Sequence, residues 1–270
     1  MYFSLSPGER SGIDMIPLPT TSSWKVWRRN ADVFFKTYLV NFLPPVIEPV
    51  LYLLALGYGL GMFVGEIDGI PYVHYIAPAL LAVSMMNSSF FECTYSSFVR
   101  MYYQKTFDAM ISTPLSIEDV IAGELLWGAT RSLIYTSAML VVLIAFGVIS
   151  LPSSLLVIPF SFLAGLLFSG IGMCFTAISP GIDTLNYPAY LFITPMLLFS
   201  GTFFPLSVLP PVLQTAALAI LPLAQAVIIA RSMTLATLSP LFIYSMAWIA
   251  IATTMFFFLS IHLMKRRLVV

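Results

Sequence analysis

Charge is scarce in this 270-residue chain: 9% of its residues are Asp, Glu, Lys or Arg, against roughly 25% in soluble domains, while 59% are hydrophobic. So little charge excludes a soluble globule, and several apolar runs approach the ~20 residues that a helix needs to cross a bilayer core. Cysteine and histidine are nearly missing as well. Cys93 and Cys174 fall inside apolar runs, and His74 and His262 sit near opposite run ends, so the thiols read as packing residues and no redox or metal site is assigned. The chain has only four lysines and no Gly-rich loop ending in Gly-Lys-Ser or Gly-Lys-Thr, so it has no phosphate cradle and does not hydrolyse ATP by itself. It has no His-Glu-x-x-His zinc helix, and neither His lies deep enough to activate an intramembrane serine; no catalytic residue is assigned. The 12 basic and 12 acidic residues cancel, which leaves no field to gather nucleic acid.

What remains is the pattern of apolar runs. It predicts an all-α polytopic membrane protein with six spans, at about 38 to 63, 74 to 99, 121 to 148, 154 to 178, 186 to 205 and 241 to 263. The region from 38 to 267 is then one transmembrane domain. The first 23 residues carry Glu9, Arg10, Asp14 and three prolines, lack the apolar stretch of a cleavable signal peptide, and read as a cytoplasmic tail. Between residues 24 and 37, Trp24, Trp27, Ala31, Phe34, Phe35 and Tyr38 recur at three- and four-residue spacing, with Lys25, Arg28, Arg29, Asp32 and Lys36 opposite. That is an interfacial amphipathic helix with Ser22 or Ser23 as its N-cap. An even span count puts both termini on one side. Ten of the 12 cations share that side, among them Arg10, Arg28, Arg29, Arg100 and Arg267, and the positive-inside rule makes it the cytoplasm. Arg131 falls inside a span and Arg231 on the far side.

Two connections exceed a turn. In the cytoplasmic loop from Arg100 to Gly123, Phe107, Met110 and Ile111 form a small apolar edge flanked by Tyr103, Gln104 and Asp108, and Pro114 ends the helix after Thr113. This composition suits a docking knob for a partner protein, or a helix lying on the membrane. Ser116 followed by Asp119 reads as a capping box opening the third span. After span five, Pro205, Pro210, Pro211 and Pro222 cut an apolar region into pieces too short to cross. The stretch from Gly201 to Arg231 is read as an external pair of re-entrant half-helices, with a helix-breaking external loop as the other reading.

The intramembrane polar residues are Glu48, Glu92, Arg100, Glu124 and Arg131. A charge left at a span's centre costs ~2.5–3.5 kcal/mol on insertion scales, so these groups must face protein or water. Ser84, Ser88, Glu92, Ser96 and Arg100 form an i, i+4 row, and Glu124 and Arg131 share a helix face. They form a polar substrate route or proton relay, or else structural pairs within the bundle. Trp127 and Trp248 read as packing or interface anchors, not ligand platforms.

Several separated motifs, namely WKVWRRN, IEPVLYLLALGYGLG, RMYYQKTFDAMISTPLSIEDVIAGELLW and SGTFFPLSVLPP with LPLAQAVIIAR, resemble the permease subunits of type-2 ABC exporters. The likeness is greatest to the nodulation-factor (lipo-chitooligosaccharide) export permease group and covers roughly Trp24 to Arg267. The resemblance implies a half-transporter in the bacterial inner membrane, paired with a second copy and with two ABC ATPase subunits. Those subunits would supply ATP and Mg chemistry, and no cofactor is bound by this chain. It implies an amphipathic, glycolipid-like substrate, a coupling helix at Tyr103 to Pro114, a connecting helix at the interfacial segment, and an external hairpin at Gly201 to Arg231. Where many members carry a hydroxyl residue and His, Ala224 and Gln225 stand here. A proton-coupled secondary transporter using Glu48 and Glu92 is the alternative function, although no internal repeat supports it.

Overall fold

The computed structural model describes residues 19–235 and 239–268, and it is built of helices with a single two-residue strand pair. Most of the expected 1–23 tail therefore lies outside the described residues. Helix α1 (Ser23–Lys36) leads into α2 (Tyr38–Tyr52), which carries Pro44, Pro45 and Pro49. Each proline removes an N–H from the i−4 ladder. The helix then widens into a π-helical stretch, Leu53–Leu60, before ending at Val64. Strands β1 (Glu66–Ile67) and β2 (Ile70–Pro71) pair antiparallel, with Asp68 (φ 53°) and Gly69 (φ 77°) in the left-handed region that a two-residue hairpin turn requires. Helix α3 (Tyr72–Phe91) continues through π turns at Glu92–Ser96 and Val99–Tyr103. After it come α4 (Thr106–Ile111), α5 (Ile117–Ala145), α6 (Val157–Ile178), α7 (186–199), α8 (Pro211–Ile220), α9 (Pro222–Thr234) and α10 (Phe242–Leu268).

Five helical stretches are long and apolar enough to cross a membrane: Val40–Val64, Tyr72–Tyr103, Ile117–Ala145, Ser153–Ile178 and Phe242–Leu268. They match five of the six expected spans. The stretch expected from 186 to 205 is shorter than predicted, because α7 stops at Phe199 and Gly201 then takes φ +72°. At 1.5 Å per residue α7 covers about 21 Å, less than a bilayer core. It nevertheless links opposite ends of the bundle. Leu185 packs in the same cluster as Phe98 and Phe107, whereas Gly201 meets α3 near its first turn through Tyr75.

The proline-cut region forms two half-helices. α8 and α9 meet at 88°, each with a proline in its first turn, where the missing N–H is harmless. The bend is pinned by Trp248, whose Nε1 donates to Ala219 O at 3.1 Å, and by the buried Gln225, which donates from Nε2 to Leu218 O. Trp248 lies six residues into α10, about 9 Å along it, so the bend is fixed near the start of that helix.

The middle of the bundle consists of α3, α5 and α6, which approach closely where small residues face one another. A Cβ at Gly165 would stand 2.8 Å from Ser132 Oγ, and at Gly172 2.8 Å from Phe90 O. α2 is peripheral, with 17% of its most apolar stretch buried against 78% for α3. Both described ends of the chain meet at the start of α5: Thr20 N donates to Asp119 Oδ1 at 2.6 Å, and Lys265 Nζ lies 2.9 Å from Glu118 Oε1.

Candidate functional site

The site begins where α5 starts. Ser116 and Asp119 form the expected capping box, with Asp119 N donating to Ser116 Oγ at 3.1 Å, and Asp119 also holds Thr20 ahead of α1. The expected cap of α1 is absent: Ser22 occupies the N-cap position without a side-chain cap bond, and Ser23 Oγ instead donates to Thr20 O. From there α1 runs alongside the first turns of α5. A Cβ at Gly123 would sit 2.5 Å from Val26 Cβ, so only glycine lets the two helices touch here. The face of α1 that packs is Val26, Asn30, Ala31 and Phe34. Trp24 and Phe35, on the apolar face expected to lie in the membrane interface, are exposed at the surface of the chain. Trp24 stacks on Trp27 at 4.0 Å between centroids, and Trp27 Nε1 donates to Thr130 Oγ1 at 2.8 Å. Arg28 is exposed. Burial lowers the pKa of Arg29, an effect that the charge of Glu124 opposes.

Inside this junction four of the five expected polar residues meet in one network. Glu92 Oε1 accepts from Arg100 Nη1 at 2.8 Å and from Trp127 Nε1 at 3.0 Å, while its Oε2 accepts from Arg131 Nη1. Glu124 Oε2 accepts from Ser97 Oγ at 2.8 Å and from Arg100 Nε at 3.0 Å, and its Oε1 accepts from Asn30 Nδ2 at 2.7 Å. Arg131 also donates to Tyr135 OH at 2.6 Å, and that hydroxyl donates to Asn41 O on α2. Two carboxylates and two guanidinia thus neutralise one another with nearly every hydrogen-bonding position filled. That is the condition under which buried ion pairs are tolerated. The π turns at Glu92–Ser96 and Val99–Tyr103 lie where Glu92, Ser97 and Arg100 converge, and such turns recur at functional sites.

Glu48 is not part of this network. Its side chain is exposed, and among the described residues it has no hydrogen-bond partner. It borders two spaces instead. One is a polar cavity of about 310 Å³ with Ser84, Asn87, Ser88, Tyr135 and Arg131 in its wall; the other is an apolar groove of about 510 Å³ formed by Leu43, Pro44, Ile47 and Leu51. The polar cavity shares Glu92, Tyr95, Ser96 and Arg131 with a further cavity of about 400 Å³, which extends past Asn30, Asn41 and Arg100 to Gln104. A continuous polar track therefore runs between α1, α2, α3 and α5, with an apolar groove beside its deep end.

The loop after α3 corrects another expectation. Phe107 is fully buried and Met110 nearly so, in a cluster with Phe98, Ile121, Ile261 and Met264, so they anchor α4 to the protein's own core instead of forming an exposed apolar edge. Tyr103, Gln104, Asp108, Thr113 and Pro114 are the exposed residues, and Ile111 is half-buried. Asp108 lies 3.9 Å from Lys105, which takes a left-handed conformation at the head of the helix.

Beneath the α8–α9 bend, Arg231 stacks on Tyr75 at 4.0 Å from the ring centroid and donates from Nη2 to Gly201 O at 3.2 Å. The two half-helices differ in burial. α9 is buried along Pro222 to Val227, but α8 buries Ala217 alone and exposes Val212 and Ile220. Within this chain, enclosure of the 201–231 region therefore comes from α9, while α8 presents apolar side chains on the surface. Cys93 and Cys174 are buried and unpaired by a disulfide.

Sequence reasoning missed Asn30, Ser97 and Tyr135, and it read Trp127 as a packing or interface anchor, not as a donor to Glu92. The available signal was spacing. Glu124, Trp127 and Arg131 recur at i, i+3 and i+7 and must share one face of α5.

Comparison with known proteins places these features in a family. The pattern of the ABC-2 type transporter family matches residues 21–235. Nodulation protein J of Sinorhizobium fredii is 38% identical to this chain, covering 90% of it and 92% of the relative; nodulation protein J of Rhizobium leguminosarum bv. trifolii is 37% identical, covering 96% and 99%. The inner membrane transport permease YadH of Escherichia coli is 24% identical over 70% of this chain and 73% of its own. A multi-pass helical protein without a nucleotide cradle, matched over most of its length by these permeases, belongs to the ABC-2 type transporter family, in the nodulation protein J group.

Proposed function

We propose that this chain is the membrane subunit of an ATP-driven exporter that moves an amphipathic, lipo-oligosaccharide or glycolipid-like molecule out of the cytoplasm across the bacterial inner membrane. The observation that carries this reading is the polar track beside the apolar groove. Hydroxyl and amide groups of Asn41, Asn87, Ser84, Ser96 and Gln104 suit a sugar, while Leu43, Ile47 and Leu51 suit an acyl chain. Glu48 stands at the junction of the two spaces. Both termini, α4 and the cluster of cations are assigned to the cytoplasm by the positive-inside rule.

ATP and Mg act in a separate ABC ATPase, two copies of which serve two copies of this chain. The exposed residues of α4 and its flanks form the docking face, and buried Phe107 transmits its movement into the core around Phe98 and Ile261. A proton relay through Glu48 and Glu92 is less well supported, because protonating Glu92 would leave two guanidinia facing a neutral acid. The test is mass spectrometry of exported lipids and oligosaccharides from cells with and without the chain. Loss of a lipid-linked glycan from the exterior, restored only when the ATPase is present, is the expected result. Transport by the purified chain alone under a proton gradient would refute the reading.

A further inference from the structure

At the opposite end of the bundle from α4 lies a further cavity, of about 410 Å³, under the α8–α9 bend. Its wall contains Arg231, Ser200, Ser207, Ser232 and Ser239 together with apolar side chains that include Leu206, Leu218 and Ile228. The charge balance differs from that of the Glu92 network. Arg100 and Arg131 end on carboxylates, but Arg231 ends on a ring face and on the carbonyls of Gly201 and Tyr75, the second at 3.4 Å. Among the described residues Arg231 has no carboxylate within ion-pair distance, and its Nε is buried without a partner.

A guanidinium has five N–H donors in a fork that matches planar or tetrahedral oxyanions, and two weak carbonyl contacts leave most of them unused. The second, independent feature is Ser200. It is 1% exposed, lines the cavity, and its hydroxyl has no hydrogen-bond partner, an arrangement that costs free energy unless a ligand or water completes it. Asp68 also borders the cavity, from the exposed hairpin tip, without pairing with Arg231.

We infer that this cavity binds the anionic headgroup of an amphiphile: the oxyanion sits on Arg231 and the Ser200 hydroxyl, and the chain lies along Leu206, Leu218 and Ile228. The apolar part of the wall is the reason to expect a lipid-borne anion in preference to a free one. This site is separate from the Glu92 track and does not depend on the proposed export substrate.

The test is native mass spectrometry of the full chain in detergent, titrated with phosphatidylglycerol, with phosphatidylcholine and with inorganic phosphate. Saturable phosphatidylglycerol binding should exceed phosphatidylcholine binding, fall at least tenfold in Arg231→Gln, and be largely kept in Arg231→Lys. Competition by inorganic phosphate would identify the anion as the main determinant, and its failure would assign the chain a share of the affinity; both outcomes support the site. If Arg231→Gln does not fold, Leu218→Trp fills the cavity while leaving the arginine in the sequence and should abolish the same binding. Equal binding of the two lipids, or undiminished phosphatidylglycerol binding in Arg231→Gln or in Leu218→Trp, would overturn the inference.

Discussion

Arg100 bridges to Glu124 across 24 positions of sequence, its Nε 3.0 Å from Oε2 of a carboxylate that is completely buried. The same guanidinium reaches Glu92, so one side chain ties two acids together and joins α3 to α5. Breaking a buried pair from one side leaves a desolvated charge, which typically costs about 3–5 kcal/mol. Arg100→Leu should therefore sharply lower the melting temperature of the purified protein. Arg100→Leu combined with Glu124→Leu should recover part of the loss. A double variant no more stable than the sum of its singles would show that the two groups do not act as a pair.

Glu92→Gln poses a different question. Gln keeps the shape and one acceptor for Trp127 but removes the negative charge between Arg100 and Arg131. The two like charges would then be left facing one another beside the polar track. Expression should fall or export should fail, and Glu92→Asp should rescue only partly because its shorter chain cannot reach all three donors. Wild-type yield together with wild-type export in Glu92→Gln would assign the residue no role. Both readouts come from one vesicle assay with a quantified protein band.

The network also indicates how much of the protein was legible in its sequence. Apolar runs located five crossings because length and composition alone decide whether a helix can span a bilayer. The Ser116 and Asp119 capping box was legible for a similar reason, being a local geometry of four consecutive residues. The partners of each charge were not, since Arg100 and Glu124 meet only through the packing of two helices. Nor was the direction of α4. Phe107, Met110 and Ile111 announce an apolar edge, but sequence does not say whether such an edge is covered by the same chain or by another. The packed face of α1 was legible only in part: Ala31 and Phe34 lie on the expected apolar stripe, but Asn30 reaches Glu124 on another helix, a contact that local spacing does not show.

The α1–α5 contact gives a steric prediction. A methyl group at Gly123 would stand 2.5 Å from Val26 Cβ and 2.7 Å from Ser23 O, distances that force the helices apart. Gly123→Ala should cost about 1–3 kcal/mol, the range for overpacking, despite its better helix propensity. Val26→Ala removes only the Cγ1 at 2.9 Å and keeps both the Cβ and the Ser23 carbonyl that clash, so the double variant should recover little of that loss. Thermal unfolding of the three variants in one detergent measures this, and a Gly123→Ala protein as stable as the parent would mean that α1 does not pack here.

The proposed docking of an ATPase on α4 and its flanks involves two kinds of residue, which the burial pattern separates. Phe107 touches no solvent, so Phe107→Ala removes a core side chain and should cost about 3–5 kcal/mol, loosening α4 from Phe98 and Ile261. Tyr103 and Asp108 are exposed, so Tyr103→Ala and Asp108→Lys should leave the melting temperature within a degree or two while weakening ATPase binding. The Asp108→Lys effect should shrink as salt rises, because an exposed charge is screened over about 8 Å at physiological ionic strength. Co-purification of the ATPase across a salt series, read beside melting curves of the permease alone, distinguishes the two classes. Should Tyr103→Ala and Asp108→Lys both bind the ATPase like the parent at every salt concentration, α4 would not be the docking face, and the buried role of Phe107 would be purely structural.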